Sequence, residues 1–277
     1  MPKKEKVLII GIDSQIGDAL KIYLISKKII VYGTTRRKEF VNRNTYFLDL
    51  EKPSFEIFEN EFTSVIVCAA TTNIAECENE QAKHKIINVT NTIKIIDKLA
   101  KKNSFIIYLS SNAVFNGKKQ FYKNNEKTCP STIYGKFKTE VEEYLTNIVS
   151  NKSCILRLTK VITKNTPFIE HWKNEVKLKR SIKTFKNKFL SPVNIDIVIN
   201  SIYLLIKKKQ TGIFQLGGIN EISYTEYAKL IFKDSPSSLK LISDEIDINL
   251  GTKNIYSSLY TNLPDHIKNL REKNKNS

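Results

Sequence analysis

Short apolar, β-branched runs alternate along this chain with longer stretches in which apolar residues recur every three or four positions. The runs Val7 to Ile10, Ile29 to Gly33, Thr45 to Leu48, Val65 to Ala69, Phe105 to Ser110 and Cys154 to Leu158 predict strands. Helices are predicted over Ile16 to Ser26, Pro53 to Asn60, Gln81 to Lys102 and about Thr132 to Val149; within the third, Ile86, Val89, Ile93, Ile96 and Leu99 form one packed face. Strands this apolar belong to a sheet covered on both sides, and their alternation with helices predicts parallel βαβ units. The fold class is therefore α/β with a doubly wound parallel sheet, whose ligands sit beyond the carboxyl ends of the strands. After about Thr163 the rhythm changes: a helix around Trp172, Val176 and Leu178 in a basic segment, a second over Asn194 to Ile206, a strand over Gly212 to Leu216 and a helix over Tyr224 to Phe232. A first domain over residues 1–163 and a smaller, interleaved region over 164–277 follow, with about 191–216 returning to the first. The polar end, Arg271 to Ser277, is expected to fray.

Composition narrows this picture. A chain of 277 residues with 41% hydrophobic content buries a large core, which excludes a disordered or fibrous protein. No stretch approaches the roughly 20 apolar residues that cross a bilayer, and Met1 to Lys6 leads straight into the first strand rather than a signal-peptide core, so a cytoplasmic protein without membrane insertion is expected. The formal charge of +17 calls for an anionic partner or a solvated lysine surface. Arginine, the residue of base and phosphate forks, occurs only at Arg36, Arg37, Arg43, Arg157, Arg180 and Arg271, which argues against nucleic acid. The densest basic run is Lys173 to Lys188. Cys68, Cys77, Cys129 and Cys154 have neither disulfide-framework nor zinc-ligand spacing, so reduced thiols and no metal site are expected.

The first chemical signal is the strand-to-helix turn Gly11-Ile12-Asp13-Ser14-Gln15-Ile16-Gly17, where a helix N-terminus presents amides to a pyrophosphate. Ser14 occupies the middle position, so a ligand there tolerates its side chain or gains a hydroxyl donor. The second strand ends in Thr34-Thr35-Arg36-Arg37 with no acid for a ribose hydroxyl; arginine forks match a 2′-phosphate, favouring NADP over NAD, unless both arginines merely cover a loop. The third signal is Leu109-Ser110-Ser111-Asn112 at the end of the fifth strand, followed by Tyr134 and Lys138 four residues apart on a helix. An ammonium beside a phenol lowers the phenol's pKa, and a nearby serine hydroxyl can bind a carbonyl oxygen. Tyr23/Lys27 and Tyr203/Lys207 repeat the spacing by chance; position after the fifth strand distinguishes Tyr134.

Together these residues resemble the extended short-chain dehydrogenase/reductase superfamily, in particular the nucleotide-sugar reductases like dTDP-4-dehydrorhamnose reductase. The turn is similar to that family's G-x-x-G-Q-[LIV]-G, Phe47-Leu48-Asp49-Leu50 to its adenine contact, and Cys68-Ala69-Ala70-Thr71 to its N-A-A segment. Cys77-Glu78, Asn88-Val89, Ser110 to Gly117 (S-T-D-Y-V-F-x-G), Ile155-Leu156-Arg157, Ser191-Pro192-Val193 and Gly212 to Leu216 fall where the family has its remaining signatures. The resemblance implies a Rossmann-like first domain, a substrate-binding second region, and hydride transfer from NADPH, with NADH second, to a keto-sugar linked to a nucleotide diphosphate. It implies Ser111, Tyr134 and Lys138 as catalytic. It implies a cofactor lining of Gly11, Ser14, Gln15, Ile16, Gly17, Thr34, Arg36, Arg37, Asp49, Leu50, Ala69, Ala70 and Thr71 with Tyr134 and Lys138, and substrate contacts from Thr72, Ser111, Asn112 and Lys160. Polysaccharide synthesis is the implied setting, and a homodimer is left open.

The chain departs from the pattern at Ser14, at Asn112 where the family has an acid, at Ala113 where it has tyrosine, and at Lys160 where the rhamnose reductases carry tryptophan. The sugar pocket is therefore reshaped and less acidic. A nucleotide-sugar epimerase or dehydratase, or a non-catalytic regulatory subunit keeping the fold, remain alternatives. His84 reads as a helix-surface residue, and Trp172 as either a stacking platform for a base or an anchor of the smaller region.

Overall fold

The computed structural model describes residues 5–163, 165–234, 240–244 and 255–263. In chain order it forms β1 (Lys6–Ile10), α1 (Gln15–Ser26), β2 (Ile30–Thr35), β3 (Thr45–Phe47), β4 (Ser64–Val67), α2 (Ile74–Asn79), α3 (Gln81–Lys85), α4 (Thr92–Lys101), β5 (Phe105–Ser111), α5 (Ile133–Ile148) and β6 (Ser153–Leu158). There follow β7 (Lys160–Ile162), α6 (Pro167–Lys177), β8 (Ile182–Phe185), β9 (Phe189–Leu190), β10 (Pro192–Asn194), α7 (Ile195–Lys208), β11 (Gly212–Leu216), β12 (Ile222–Ser223), α8 (Tyr224–Ile231) and β13 (Leu241–Asp244).

The main sheet has the order β11-β6-β5-β4-β1-β2-β3, every pairing parallel. The order reverses between β1 and β4, which opens a crevice at their carboxyl ends. Alternate residues of β1 feed opposite layers. Val7 and Ile9 pack with Leu20 and Leu24 of α1 and with Val198, Ile202 and Leu205 of α7. Leu8 and Ile10 pack with Ile95, Ile96 and Leu99 of α4 and Val141 and Leu145 of α5. Each such side chain contributes about 1.5–3 kcal/mol by leaving water, and this two-sided burial holds the strand ends rigid around the crevice. Tyr23 and Tyr203 meet edge-on at 5.6 Å where α1 crosses α7, so the two chance Tyr-x-x-x-Lys pairs are packing features.

Several expectations change. Pro53 to Asn60 forms only a 3-10 turn over Glu56–Glu59, with Phe58 fully buried and Ile57 packed partly against the same core. The segment Gln81 to Lys102 is not uniform helix: Ile86–Asn91 is a π turn between α3 and α4, with Thr92 Oγ1 donating to the Ile87 carbonyl at 2.9 Å. His84 is buried, 4% exposed, because it lies one turn before Asn88 on the face turned inward; neither ring nitrogen has a hydrogen-bond partner. Trp172 is packed against Phe168 at 5.0 Å and against Ile182 and Ala228 in a separate small core, which removes it as a stacking platform. Within the polar C-terminal stretch, residues 255–263 bury Leu259 and Leu263 and bond to the 117–122 loop through Tyr256 N and Tyr260 N. The end expected to fray lies outside the described residues. All four cysteines are free thiols, no cluster of metal-ligating groups occurs among the described residues, and none of the described helices is long and apolar enough to cross a membrane.

Candidate active site

At the crevice, β1 turns into α1 through Gly11, whose φ of +84° excludes most side chains and whose added Cβ would lie 2.8 Å from Ala69 Cβ. Gly17 is required by the same closeness, since a Cβ there would meet the Gly11 carbonyl at 2.3 Å. Ser14 caps α1: its hydroxyl donates to Gly11 O at 2.7 Å and accepts from Gly17 N at 3.1 Å. That commitment corrects the idea of a free hydroxyl donor at Ser14. Thr34 is also structural, 1% exposed, accepting from Gly11 N through both its hydroxyl and its carbonyl. Ile16 is half-buried against the α1 side of the core, whereas Gln15 is exposed and donates to Thr163 Oγ1 at 2.5 Å. A groove of about 1370 Å³ runs past Ile12, Asp13, Ser14, Gln15, Arg37 and Phe40. A sharp glycine turn, a helix N-terminus whose Gln15 and Ile16 amides are left without an intrahelical acceptor while Ser14 holds those of Gly17 and Asp18, and an open groove beside them fit a dinucleotide pyrophosphate.

At the end of β2 the two arginines differ. Arg36 is exposed, whereas Arg37 Nε donates to Asp13 Oδ2 at 2.6 Å and Nη2 donates to Asp13 O at 3.2 Å. Burial pushes Asp13 up, but hydrogen bonds from Arg37 and Thr35 outweigh it and hold the carboxyl below its ordinary range. Only one of the two expected phosphate-seeking forks is therefore uncommitted.

Two asparagines from the π turn fix the neighbouring loops. Asn88 accepts from Thr71 N at 2.8 Å and donates to Thr71 O at 2.9 Å, clamping the Ala69-Ala70-Thr71 segment; Asn91 donates to Leu50 O at 2.9 Å, placing Leu50 beside Asp49, which accepts from Glu51 N. The π register puts both amides on the inward face. Thr72 is exposed at the mouth.

Ser111 closes β5, and α5 begins at Ile133 with Thr132 as its N-cap. Gly135 permits the approach, because a Cβ there would stand 2.1 Å from the Ala113 carbonyl. The Ser111 hydroxyl donates to Asn112 Oδ1 at 3.3 Å, accepts from Ala113 N at 3.2 Å, and stands close enough to the Tyr134 phenol to act on its pKa. Lys138 is 5% exposed; its ammonium donates to Leu109 O at 2.9 Å and sits 5.8 Å from the Tyr134 ring centroid and 4.6 Å from that of Tyr108. Desolvation, opposed by the charge of Glu142, lowers Lys138 to about 8. The expected lowering of Tyr134 is reversed: burial raises the phenol's pKa, and only the nearby Ser111 hydroxyl opposes it. The ammonium spends its hydrogen bond on Leu109 O, and desolvation wins. Among the expected substrate contacts, Asn112 is half-buried beside Ser111. Lys160 is exposed on the first residue of β7, with its ammonium lowered by desolvation and then by the charge of Lys188, and 5.5 Å from the Phe168 ring.

Behind the site lies a network that sequence reasoning missed. Glu142, one turn after Lys138, accepts from Ser110 Oγ at 2.5 Å and from Arg157 Nε and Nη2 at 3.0 and 2.6 Å. Arg157 also donates to Gln215 Oε1 at 3.2 Å and Asn124 O at 3.3 Å. Glu142 continues the i, i+4 ladder from Tyr134 and Lys138, a spacing visible in the sequence. The Asp13 to Arg37 bond left no such signal, since it joins residues 24 apart.

The RmlD substrate binding domain model matches residues 5–249. A dTDP-4-dehydrorhamnose reductase of Aggregatibacter actinomycetemcomitans is 27% identical over 273 residues, 92% of this chain and 87% of its own. The spore coat polysaccharide biosynthesis protein SpsK of Bacillus subtilis (strain 168) is 25% identical over 181 residues, 65% of this chain, and the match spans 63% of that protein's length. The crystal structure of a dTDP-4-dehydrorhamnose reductase from Bacillus anthracis in complex with NADP shares the fold, with a TM-score of 0.81 at 21% identity over 94% of this chain and 91% of that one.

Proposed function

The chain belongs to the RmlD substrate binding domain family, and from that premise we propose that it reduces a keto group on a nucleotide-linked sugar, with NADPH as the favoured cofactor and NADH second. The observation that carries this reading is the convergence of Ser111, Tyr134 and Lys138: a serine hydroxyl beside a buried phenol, with an ammonium 5.8 Å from the centroid of the phenol's ring. The nicotinamide, when bound, supplies the hydride to the carbonyl carbon. Ser111 and Tyr134 hold the carbonyl oxygen between two O–H donors, and Tyr134 gives its proton to that oxygen as negative charge develops. Because burial keeps the phenol protonated, the acid is loaded at neutral pH; the sugar alkoxide, a stronger base than a phenolate, takes the proton readily. Lys138 then offsets the charge left on the ring. The glycine turn and the loops fixed by Asn88 and Asn91 are assigned to the dinucleotide. Thr72, Asn112 and Lys160, at the substrate-facing side of the first domain, are assigned to the sugar nucleotide together with the smaller region over 164–277, of which about 191–216 returns to the first domain.

The test is incubation with a panel of nucleotide-linked keto-sugars while NADPH absorbance is followed, together with Tyr134→Phe. Consumption of NADPH by the wild type, loss of turnover in Tyr134→Phe and unchanged cofactor binding in that variant are expected. A flat trace with every sugar, or normal turnover without the phenol, overturns the reading.

A further inference from the structure

We propose that Asp13 is a specificity-determining residue that blunts this chain's selection for a 2′-phosphorylated cofactor by keeping Arg37 in an ion pair. The inference rests on the dinucleotide reading above and goes beyond it by assigning the discrimination to one carboxylate.

Asp13 Oδ2 accepts from both Arg37 Nε at 2.6 Å and Thr35 Oγ1 at 2.9 Å, Asp13 O accepts from Arg37 Nη2 at 3.2 Å, and Thr35 Oγ1 in turn accepts from Arg37 N at 3.0 Å. This closed ring of bonds ties the loop after β1 to the end of β2. The guanidinium also lies over Phe40, 4.7 Å from the ring centroid, so it is held on two sides. The Asp13 side chain is 22% exposed against 49% for Arg37, and both line the same groove beside Ser14 and Gln15. Arg36, next in the chain, is exposed and meets no carboxylate within 4 Å among the described residues.

A phosphate dianion arriving at the β2 end thus encounters one uncompensated guanidinium and one already neutralised, with a carboxylate behind it. Arg37 retains free N–H groups, but any phosphate oxygen they bind is held near a like charge, which removes most of the gain from the fork. Arg36 carries the selection alone.

The test measures dissociation constants for NADP⁺, NAD⁺, 2′,5′-ADP and ADP by calorimetry in the wild type, Asp13→Asn, Asp13→Ala and Arg36→Ala, with thermal unfolding as a check on folding. Asn keeps an acceptor for Arg37 and Thr35 while removing the charge; Ala serves if Asn perturbs the loop. Asp13→Asn is expected to tighten NADP⁺ and 2′,5′-ADP by about fivefold and leave NAD⁺ and ADP within about twofold. Arg36→Ala is expected to weaken the two phosphorylated ligands by about tenfold. Weaker or unchanged binding of 2′,5′-ADP to Asp13→Asn overturns the proposal, because Asp13 would then be orienting Arg37 toward the phosphate or doing nothing. A wild type that binds none of the four overturns the dinucleotide reading itself, a separate result.

Discussion

Replacing Arg157 by methionine leaves the Glu142 carboxylate buried with Ser110 as its remaining side-chain donor among the described residues, since the guanidinium supplies the other bonds to it there. Both side chains are nearly sealed from water, 2% and 4% exposed, so screening does not soften the loss. Breaking such a pair from one side costs about 3–5 kcal/mol, against a total stability of about 5–15 kcal/mol. At about 2–4 °C per kcal/mol, the unfolding midpoint falls by roughly 6–20 °C. Glu142→Leu is expected to lose a similar amount, and the double variant to recover most of it, because an apolar pair of similar volume leaves no buried charge behind. Circular dichroism melts of the four proteins close a double-mutant cycle. Single costs below about 1 kcal/mol, or a double variant as unstable as the sum of the singles, would refute the reasoning.

Three further outcomes follow from the site. Lys138 falls from 10.5 to about 8 on folding, so between those values the unfolded chain binds more protons and this residue's contribution to stability rises with pH, by about 3 kcal/mol over the window; Lys138→Met should flatten that rise in urea melts recorded at pH 8 and 10. Turnover should instead decline as pH climbs through about 8 and the ammonium is lost, and Glu142→Gln should move that alkaline limb lower, as removal of a supporting charge requires. Gly135→Ala forces a Cβ against a carbonyl oxygen, costing about 1–3 kcal/mol or more and separating Ser111 from Tyr134, so it should reduce turnover beyond its effect on melting; a fully active variant would deny that contact its positioning role.

The strands that build the crevice were legible because burial on both faces leaves an unbroken apolar run, as in Val7 to Ile10 and Val65 to Val67. Tyr134 and Lys138 were legible for a related reason: helical spacing is local. What the sequence hid depends on tertiary context. The π turn at Ile86–Asn91 carries no proline or glycine to mark a break, and its register is set by what Asn88 and Asn91 must reach. His84 stands among lysines in a segment that reads as solvent-facing, yet its own position turns inward. The sign of the Tyr134 shift was misjudged because spacing reports proximity to a charge but says nothing of how much water is removed.

Gln215 has a temporal consequence. Its amide nitrogen donates to the Tyr122 and Tyr260 carbonyls, its backbone N–H to Asn262 Oδ1, and it braces Arg157 from below. Tyr260 lies 45 residues later in the chain. At about 5–20 residues per second of synthesis, β11 waits roughly 2–9 s for that partner. Through this interval the nascent sheet carries a guanidinium and a carboxamide at its margin with part of their bonding unmade, so the region around residues 122–124 is the last part of the site's support to set.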